Sequence, residues 1–126
     1  MLNMHHPAAA TSPGRVLTKA AVRAAERLGV SGRLLAEVLG VSEAQISRFR
    51  NGEAALAENT KPFELAALFV RAFRSLDAIT GGDETVARAW LGAANTALGA
   101  PPVQRITTVQ GLADVVAYLD ARRAPL

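Results

Sequence analysis

The sequence predicts an all-α protein, in which an N-terminal lobe of short helices is joined by a long central helix to a small helical C-terminal domain. Hydrophobic residues make up 50% of the 126-residue chain, which is enough for one compact domain or for two small lobes that share a core. In every long segment the apolar residues recur at steps of three and four, the spacing of one helix face. Ala, Leu and Arg, which favour helices, are abundant, and strand-like runs are few.

The N-terminal part begins with an expected disordered tail over residues 1–12, which lack an apolar period and lead into the helix-breaking run Thr11-Ser12-Pro13-Gly14. The first helix is expected from this run to Gly29. Its expected buried stripe consists of Leu17, Ala21, Ala24 and Leu28. Its basic residues recur at i+4 and form a basic ridge at Arg15, Lys19, Arg23 and Arg27. The ridge is either a solvated face or a surface for phosphate contact, and the sequence leaves both open.

Two short helices are expected next, and their spacing forms a helix-turn-helix. One fits Ser31–Leu39, with its first serine as N-cap, and the other fits Glu43–Arg50, with Ser42 as N-cap and Gln45 completing a capping box. Gly40 suits the left-handed turn between them. The expected shared core consists of Leu35, Ala36, Leu39, Val41, Ile46 and Phe49. The alternative is a helical hairpin that serves only for packing.

This run resembles the helix-turn-helix of phage-repressor-like (Xre-type) regulators, in which the second helix lies in the major groove of DNA. The resemblance implies that residues 13–59 form a DNA-binding domain and that the exposed side of residues 43–51 faces DNA. Arg suits guanine and Gln suits adenine, whereas Arg33 and Arg50 are better placed for phosphates. The expected DNA contacts are Arg33, Ser42, Ala44, Gln45, Ser47, Arg48 and Arg50.

A long central helix is expected over residues 60–80, beginning near Thr60 with Pro62 in its first turn. Its apolar residues extend most of the way round, so we expect burial on several sides. Part of this surface is the first candidate for a homodimer interface, and ordinary core burial is the alternative. A dimer is expected because one recognition helix contacts too few bases to specify an operator.

The remaining residues, 81–126, divide into short helical pieces. Asp83 is expected to cap a helix to about Gly92 that carries Val86, Ala89 and Trp90, with Trp90 filling a small second core. Pro101-Pro102 opens another short piece. The last helix is expected over about Thr108–Arg122, and its expected buried residues are Val109, Leu112, Val116 and Leu119.

The same region carries spaced motifs: Trp90-Leu91, Asn95 two residues before Ala97-Leu98-Gly99, then Pro102, and Thr108 three residues before Gly111. Over residues 85–120 this set resembles the C-terminal domain shared by the Xre/MbcA/ParS antitoxins. The chain departs from that pattern in having Ala94 where the family usually has Pro, and a polar pair within Val103-Gln104-Arg105-Ile106.

The resemblance implies a toxin partner and a toxin-binding function for residues 81–126. Antitoxins of this kind neutralise a RES-domain toxin, which degrades NAD or transfers its ADP-ribose, and they place their C-terminal end at the toxin's substrate entrance. The implied toxin-binding residues are Trp90, Asn95, Arg122, Arg123, Ala124, Pro125 and Leu126. The alternative, which the residues alone favour, is that the end of the chain is a frayed, solvated tail like most C-termini.

Catalytic and metal-binding functions are not expected, and neither is a cofactor. The chain has no Cys, and its only histidines, His5 and His6, lie in the expected tail, so neither a nucleophile–base pair nor a closed metal site can be assembled. There is no secretory signal and no run of 18 apolar residues, so we expect a cytoplasmic protein without membrane contact. The net charge of +3 permits an anionic partner.

With the resemblance, these features predict an antitoxin; the resemblance implies that it inhibits a RES-domain toxin acting on NAD and binds operator DNA to autoregulate its operon. The alternative is a helix-turn-helix transcriptional regulator whose C-terminal half serves only dimerisation or ligand sensing.

Overall fold

The computed structural model describes residues 12–123, which are helical and contain no strand. The all-α prediction is therefore confirmed for this part of the chain, and the predicted N-terminal tail lies almost entirely outside the described residues. The helices are α1 (Pro13–Leu28), α2 (Gly32–Leu39), α3 (Glu43–Arg50), α4 (Lys61–Ile79), α5 (Glu84–Gly92), α6 (Pro102–Arg105) and α7 (Val109–Arg123). No helix in this range is both long enough and apolar enough to cross a membrane.

Most of the helices begin at side-chain caps, and α1 and α2 end at left-handed glycines. The N-caps Ser31, Ser42 and Asp83 each accept a hydrogen bond from the backbone N–H three residues on, as the sequence predicts. Gly40 has a φ of 71°, in the left-handed region that avoids a Cβ clash. The predicted capping box is only half formed, because the Gln45 amide oxygen accepts from Arg48 Nε instead of returning to the cap.

Helix α4 lies at the centre of one continuous hydrophobic core. It packs most extensively against α7 and α1, and it also contacts α2 and α5. Buried side chains from α1 to α7 belong to a single cluster, in which Phe69 of α4 and Leu112 of α7 are almost completely enclosed. The central helix is thus common to both halves of the chain. The division into separate domains at residues 59 and 81 stays a prediction.

The buried face of α1 differs from the predicted stripe. Leu17 is only half-buried, whereas Thr18 and Ala25 are buried. The Thr18 hydroxyl donates to the carbonyl oxygen of Gly14 and accepts from the N–H of Leu56, at 2.6 and 2.8 Å. A Cβ on Gly14 would lie 2.2 Å from the Leu56 carbonyl oxygen. The segment after α3 therefore packs tightly on α1, and this contact turns the buried face toward Thr18.

One predicted buried position in the C-terminal half is wrong, because Val109 is 56% exposed. On α5, Val86 and Ala89 are exposed as well. In α5 the buried residues are Ala87 and Leu91. In α7 the first turn contacts α6 through Gly111 rather than through Val109. The helical period was therefore predicted correctly, but the neighbour that each face meets was not.

Helices α1 and α5 are joined by two arginines. Arg27 pairs with Asp77 and Glu84 at 3.3 and 3.2 Å, and its guanidinium lies 5.2 Å from the ring centre of Phe73. Arg88 of α5 donates to the last carbonyl oxygens of α1, those of residues 26 and 27, both at 2.9 Å. The basic ridge predicted on α1 is therefore shorter than expected, because its fourth member, Arg27, is paired with acidic residues of α4 and α5.

Candidate functional site

The first candidate site is the exposed surface of the helix-turn-helix formed by α2 and α3. The Gly40 and Val41 N–H groups both donate to the Ala36 carbonyl oxygen, at 2.9 and 3.0 Å, and fix the turn. Ile46 and Phe49 are buried from the α3 side, together with Leu35 and Leu39 of α2. Val41 is only half-buried. The apolar side of α3 is therefore buried in the core, and its other sides are exposed to solvent.

Six of the seven predicted DNA contacts are exposed, and the seventh, Gln45, is half-buried. Gln45 and Arg48 are joined by a hydrogen bond of 3.2 Å, so they present an amide and a guanidinium together on α3. Such planar donor groups are suited to base edges in the major groove. Whether these residues contact DNA stays a prediction, but none of them is used in the hydrophobic core.

Arg50 lies apart from the Gln45–Arg48 pair. Its guanidinium covers the start of α2, since a Cβ on Gly32 would lie 3.0 Å from Arg50 Nη1. Arg50 also lines an open groove between α3 and α1, together with Arg15, Lys19 and Arg23. The structure therefore brings three members of the basic ridge next to a predicted phosphate contact, an arrangement that sequence spacing did not reveal.

The second candidate site is an aromatic cluster on α5 and α7. Trp90 is half-buried rather than enclosed in a second core, and its ring stacks on that of Tyr118 with centroids 6.1 Å apart. The Arg122 guanidinium lies 4.4 Å from the ring centre of Tyr118 on α7. Tyr118 was missed from the sequence, although its i+4 spacing to Arg122 was a usable signal. Aromatic residues and arginine are enriched at the energetic centres of protein interfaces.

The turn between α5 and α6 is held by Asn95. Its side-chain oxygen accepts from the Leu98 N–H at 3.1 Å, and Gly99 follows with a φ of 77°. This is the local capping function expected from the residues alone. Asn95 is half-buried, and a direct contact with a toxin stays a prediction.

The Thr-x-x-Gly motif, from Thr108 to Gly111, caps α7 and lets it pack closely against α6. The Thr108 hydroxyl oxygen accepts from the Gly111 N–H at 3.0 Å and caps α7. A Cβ on Gly111 would lie 1.9 Å from the carbonyl oxygen of Arg105, well inside van der Waals contact. Only glycine therefore fits where α7 crosses the end of α6.

The end of α7 is fixed to α4 by a polar network. The buried Ser75 hydroxyl donates to Asp120 at 2.8 Å and accepts from Arg123 Nη1 at 3.4 Å. Arg71 pairs with the other oxygen of Asp120 at 2.6 Å. Neither Ser75 nor Asp120 was predicted as part of a site, because their pairing depends on how α4 and α7 cross. The predicted contacts Ala124, Pro125 and Leu126 lie outside the described residues.

Between residues 12 and 123 no group of three or more His, Asp or Glu side chains lies where it could hold a metal ion. The two histidines fall outside this range.

Two protein-family models match the chain. The model described as an antitoxin Xre-like helix-turn-helix domain matches residues 7–71, which is more than half of the chain. The model described as an antitoxin Xre/MbcA/ParS C-terminal toxin-binding domain matches residues 75–124. No curated protein shows significant similarity. With a helix-turn-helix half for DNA and a toxin-binding half that meet within α4, the chain belongs to the Xre-type antitoxins.

Proposed function

We propose that this type II antitoxin inhibits a RES-domain toxin acting on NAD, by covering the toxin's active site with its C-terminal segment. We also propose that it binds operator DNA as a homodimer and so autoregulates its operon in the cytoplasm. It acts as an inhibitor and not as an enzyme. The main support is the match of residues 75–124 to a toxin-binding domain. The RES identity of the partner rests on the motif resemblance over residues 85–120.

The proposal for DNA places α3 in the major groove, with Gln45, Ser47 and Arg48 toward the bases. Two features of α3 support it. Its apolar residues are already buried, and its exposed residues are polar or small. The Arg48 guanidinium is oriented by the Gln45 amide, which lowers the entropy lost when it pairs with a base.

Replacing Arg48 tests this placement directly. We expect Arg48→Ala to weaken operator binding by roughly 5- to 150-fold, which corresponds to the loss of one good base contact. The measurement is a gel shift with operator and random DNA at physiological salt. Arg74→Ala is the matched control, because Arg74 is exposed on α4 and lines neither site. Equal affinity of the Arg48 variant and the wild type would reject the groove placement.

The proposal for the toxin rests on the position of the last described turn of α7. Arg122 lies on Tyr118, and Arg123 is tied to Ser75, so the chain leaves α7 from a fixed point beside the aromatic cluster. Arginine side chains are suited to the phosphates of NAD or to acidic residues at the toxin's entrance. The aromatic cluster would form the permanent contact, and the residues beyond it would cover the active site.

Truncation tests the toxin proposal. The adjacent gene product is purified with this chain, and NAD hydrolysis is followed with the full-length antitoxin and with variants lacking residues 121–126 or 124–126. We expect the longer deletion to abolish inhibition while co-purification persists. The shorter deletion keeps both arginines, so it separates the effect of the last three residues from theirs. Full inhibition by the variant lacking residues 121–126 would reject the covering segment.

A further inference from the structure

The groove between α1 and the end of α3 is strongly basic. Arg15, Lys19 and Arg23 line it from α1, and Arg50 lines it from α3, whereas its only acidic lining residue is Glu26. The groove is open to solvent, and all four of its basic residues are exposed. It holds a dense cluster of positive charge next to the proposed recognition helix.

These charges are free to meet a ligand. Among the ion pairs of residues 12–123, none involves any of the four basic side chains of the groove. The contrast within α1 is informative, because Arg27 continues the same i+4 series and is held by Asp77 and Glu84. The fold neutralises the one basic residue that faces α5 and leaves the three that face the groove unpaired.

The spacing of these residues fits an extended polyanion. Arg15 and Arg23 are eight residues apart on α1, which corresponds to about 12 Å along the helix axis. One strand of DNA places a phosphate every 3.4 Å or so along its axis, so the α1 residues span roughly three phosphates. A single small anion would engage only one of them.

We infer that this groove binds the phosphate backbone of DNA next to the bases that α3 contacts, with Arg15, Lys19, Arg23 and Arg50 as the phosphate-binding residues. This inference rests on the proposed DNA binding by α3. DNA is favoured over an acidic protein segment because the groove is continuous with α3 through Arg50, which also covers the start of α2. Contacts of this kind position a protein on DNA without specifying sequence.

The test compares salt dependence among single variants of the full chain. Arg15→Gln, Lys19→Gln and Arg23→Gln each remove one charge from the groove, and Arg74→Gln removes one charge from the exposed side of α4 as a matched control. Each groove variant is expected to reduce the slope of log K against log salt by about 0.9. Raising the salt from 50 to 200 mM should therefore weaken its DNA binding about threefold less than it weakens that of the wild type. The loss of affinity relative to the wild type is expected to be equal for operator and random DNA. Far-UV circular dichroism checks that each variant keeps its helix content.

The outcomes separate this inference from the proposed function. If the groove variants and Arg74→Gln give the same slope while Arg48→Ala abolishes specific binding, α3 binds DNA and the groove does not. If the groove variants keep full DNA binding but no longer co-purify with the toxin, the groove is a protein-binding surface and the inference is wrong. If the wild type binds neither operator nor random DNA, both proposals fail.

Discussion

At the residue scale, two glycines allow a helix to pack closely against a backbone carbonyl of a neighbouring segment. Gly14 lies against the Leu56 carbonyl and Gly111 lies against the Arg105 carbonyl, in each case too close for a side chain. Both glycines are within helices, where glycine is ordinarily unfavourable by up to about 1 kcal/mol relative to alanine. Close packing at the two contacts offsets that cost. For Gly111 the result is that α6 and α7 are held at one distance beside the aromatic cluster.

Substitution of Gly111 is therefore expected to destabilise the protein. Gly111→Ala forces a methyl group against a backbone oxygen that cannot rotate away, at a cost of about 1–3 kcal/mol. The expected fall in Tm is roughly 5–10 °C, measured by thermal unfolding. Gly92→Ala is the matched control, because that position in α5 has no neighbour within 4 Å and should leave Tm unchanged or slightly raised. A Gly111 variant as stable as the wild type would show that α7 can move away from α6.

At the element scale, the contact between α1 and α5 connects the DNA-binding half to the toxin-binding half. Arg88 donates to the carbonyl oxygens of residues 26 and 27 in the last turn of α1, of which the first also accepts from the Gly29 N–H, and its positive charge lies at the negative end of that helix. Arg27 adds ion pairs to Asp77 and Glu84. These side chains are about one-third to one-half exposed, so each ion pair adds little by itself.

Replacing Arg88 measures how much this contact contributes to the free energy of unfolding. Arg88→Ala is expected to lower the free energy of unfolding by about 1 kcal/mol, because two carbonyl groups lose a charged donor in a partly solvated position. The measurement is urea unfolding of the variant beside Arg74→Ala, which removes an exposed arginine of α4 without such contacts. An Arg88 variant with the same midpoint as the control would mean that water replaces its hydrogen bonds without loss.

At the scale of the whole molecule, the two family domains share one core. The helix-turn-helix match ends at residue 71 and the toxin-binding match starts at residue 75, both inside α4. Because α4 contributes buried side chains to both halves, neither half can expose its core without disturbing the other. The protein is therefore expected to unfold as one unit and not as two domains.

A comparison of two probes tests this expectation. Trp90 is the only tryptophan, and its half-buried ring on Tyr118 makes its fluorescence a probe of the C-terminal half. Far-UV circular dichroism follows all helices. We expect the two signals to give one coincident transition in urea, as two-state unfolding requires. A fluorescence midpoint at clearly lower urea than the circular dichroism midpoint would indicate that the C-terminal half unfolds separately.

By itself, the sequence determined the helices, their caps and the family. The helices and their caps depend on local chemistry: the apolar period, the serine and aspartate caps, and Gly40 in its turn. The family followed from the resemblance of the spaced motifs. The exposed polar face of α3 was also predictable, because the capped turn and the apolar spacing fix which sides of a short helix are buried.

Only the tertiary structure decided which neighbour each face meets. It exposed Val109, stacked Trp90 on Tyr118, and paired Ser75 with Asp120, all through the crossing of α7 over its neighbours. It also divided the basic ridge of α1, by neutralising Arg27 against α5 and leaving the rest beside α3. The physical reason is that helical periodicity sets the angle between side chains on one helix, whereas the partner of each side chain depends on residues distant in the sequence.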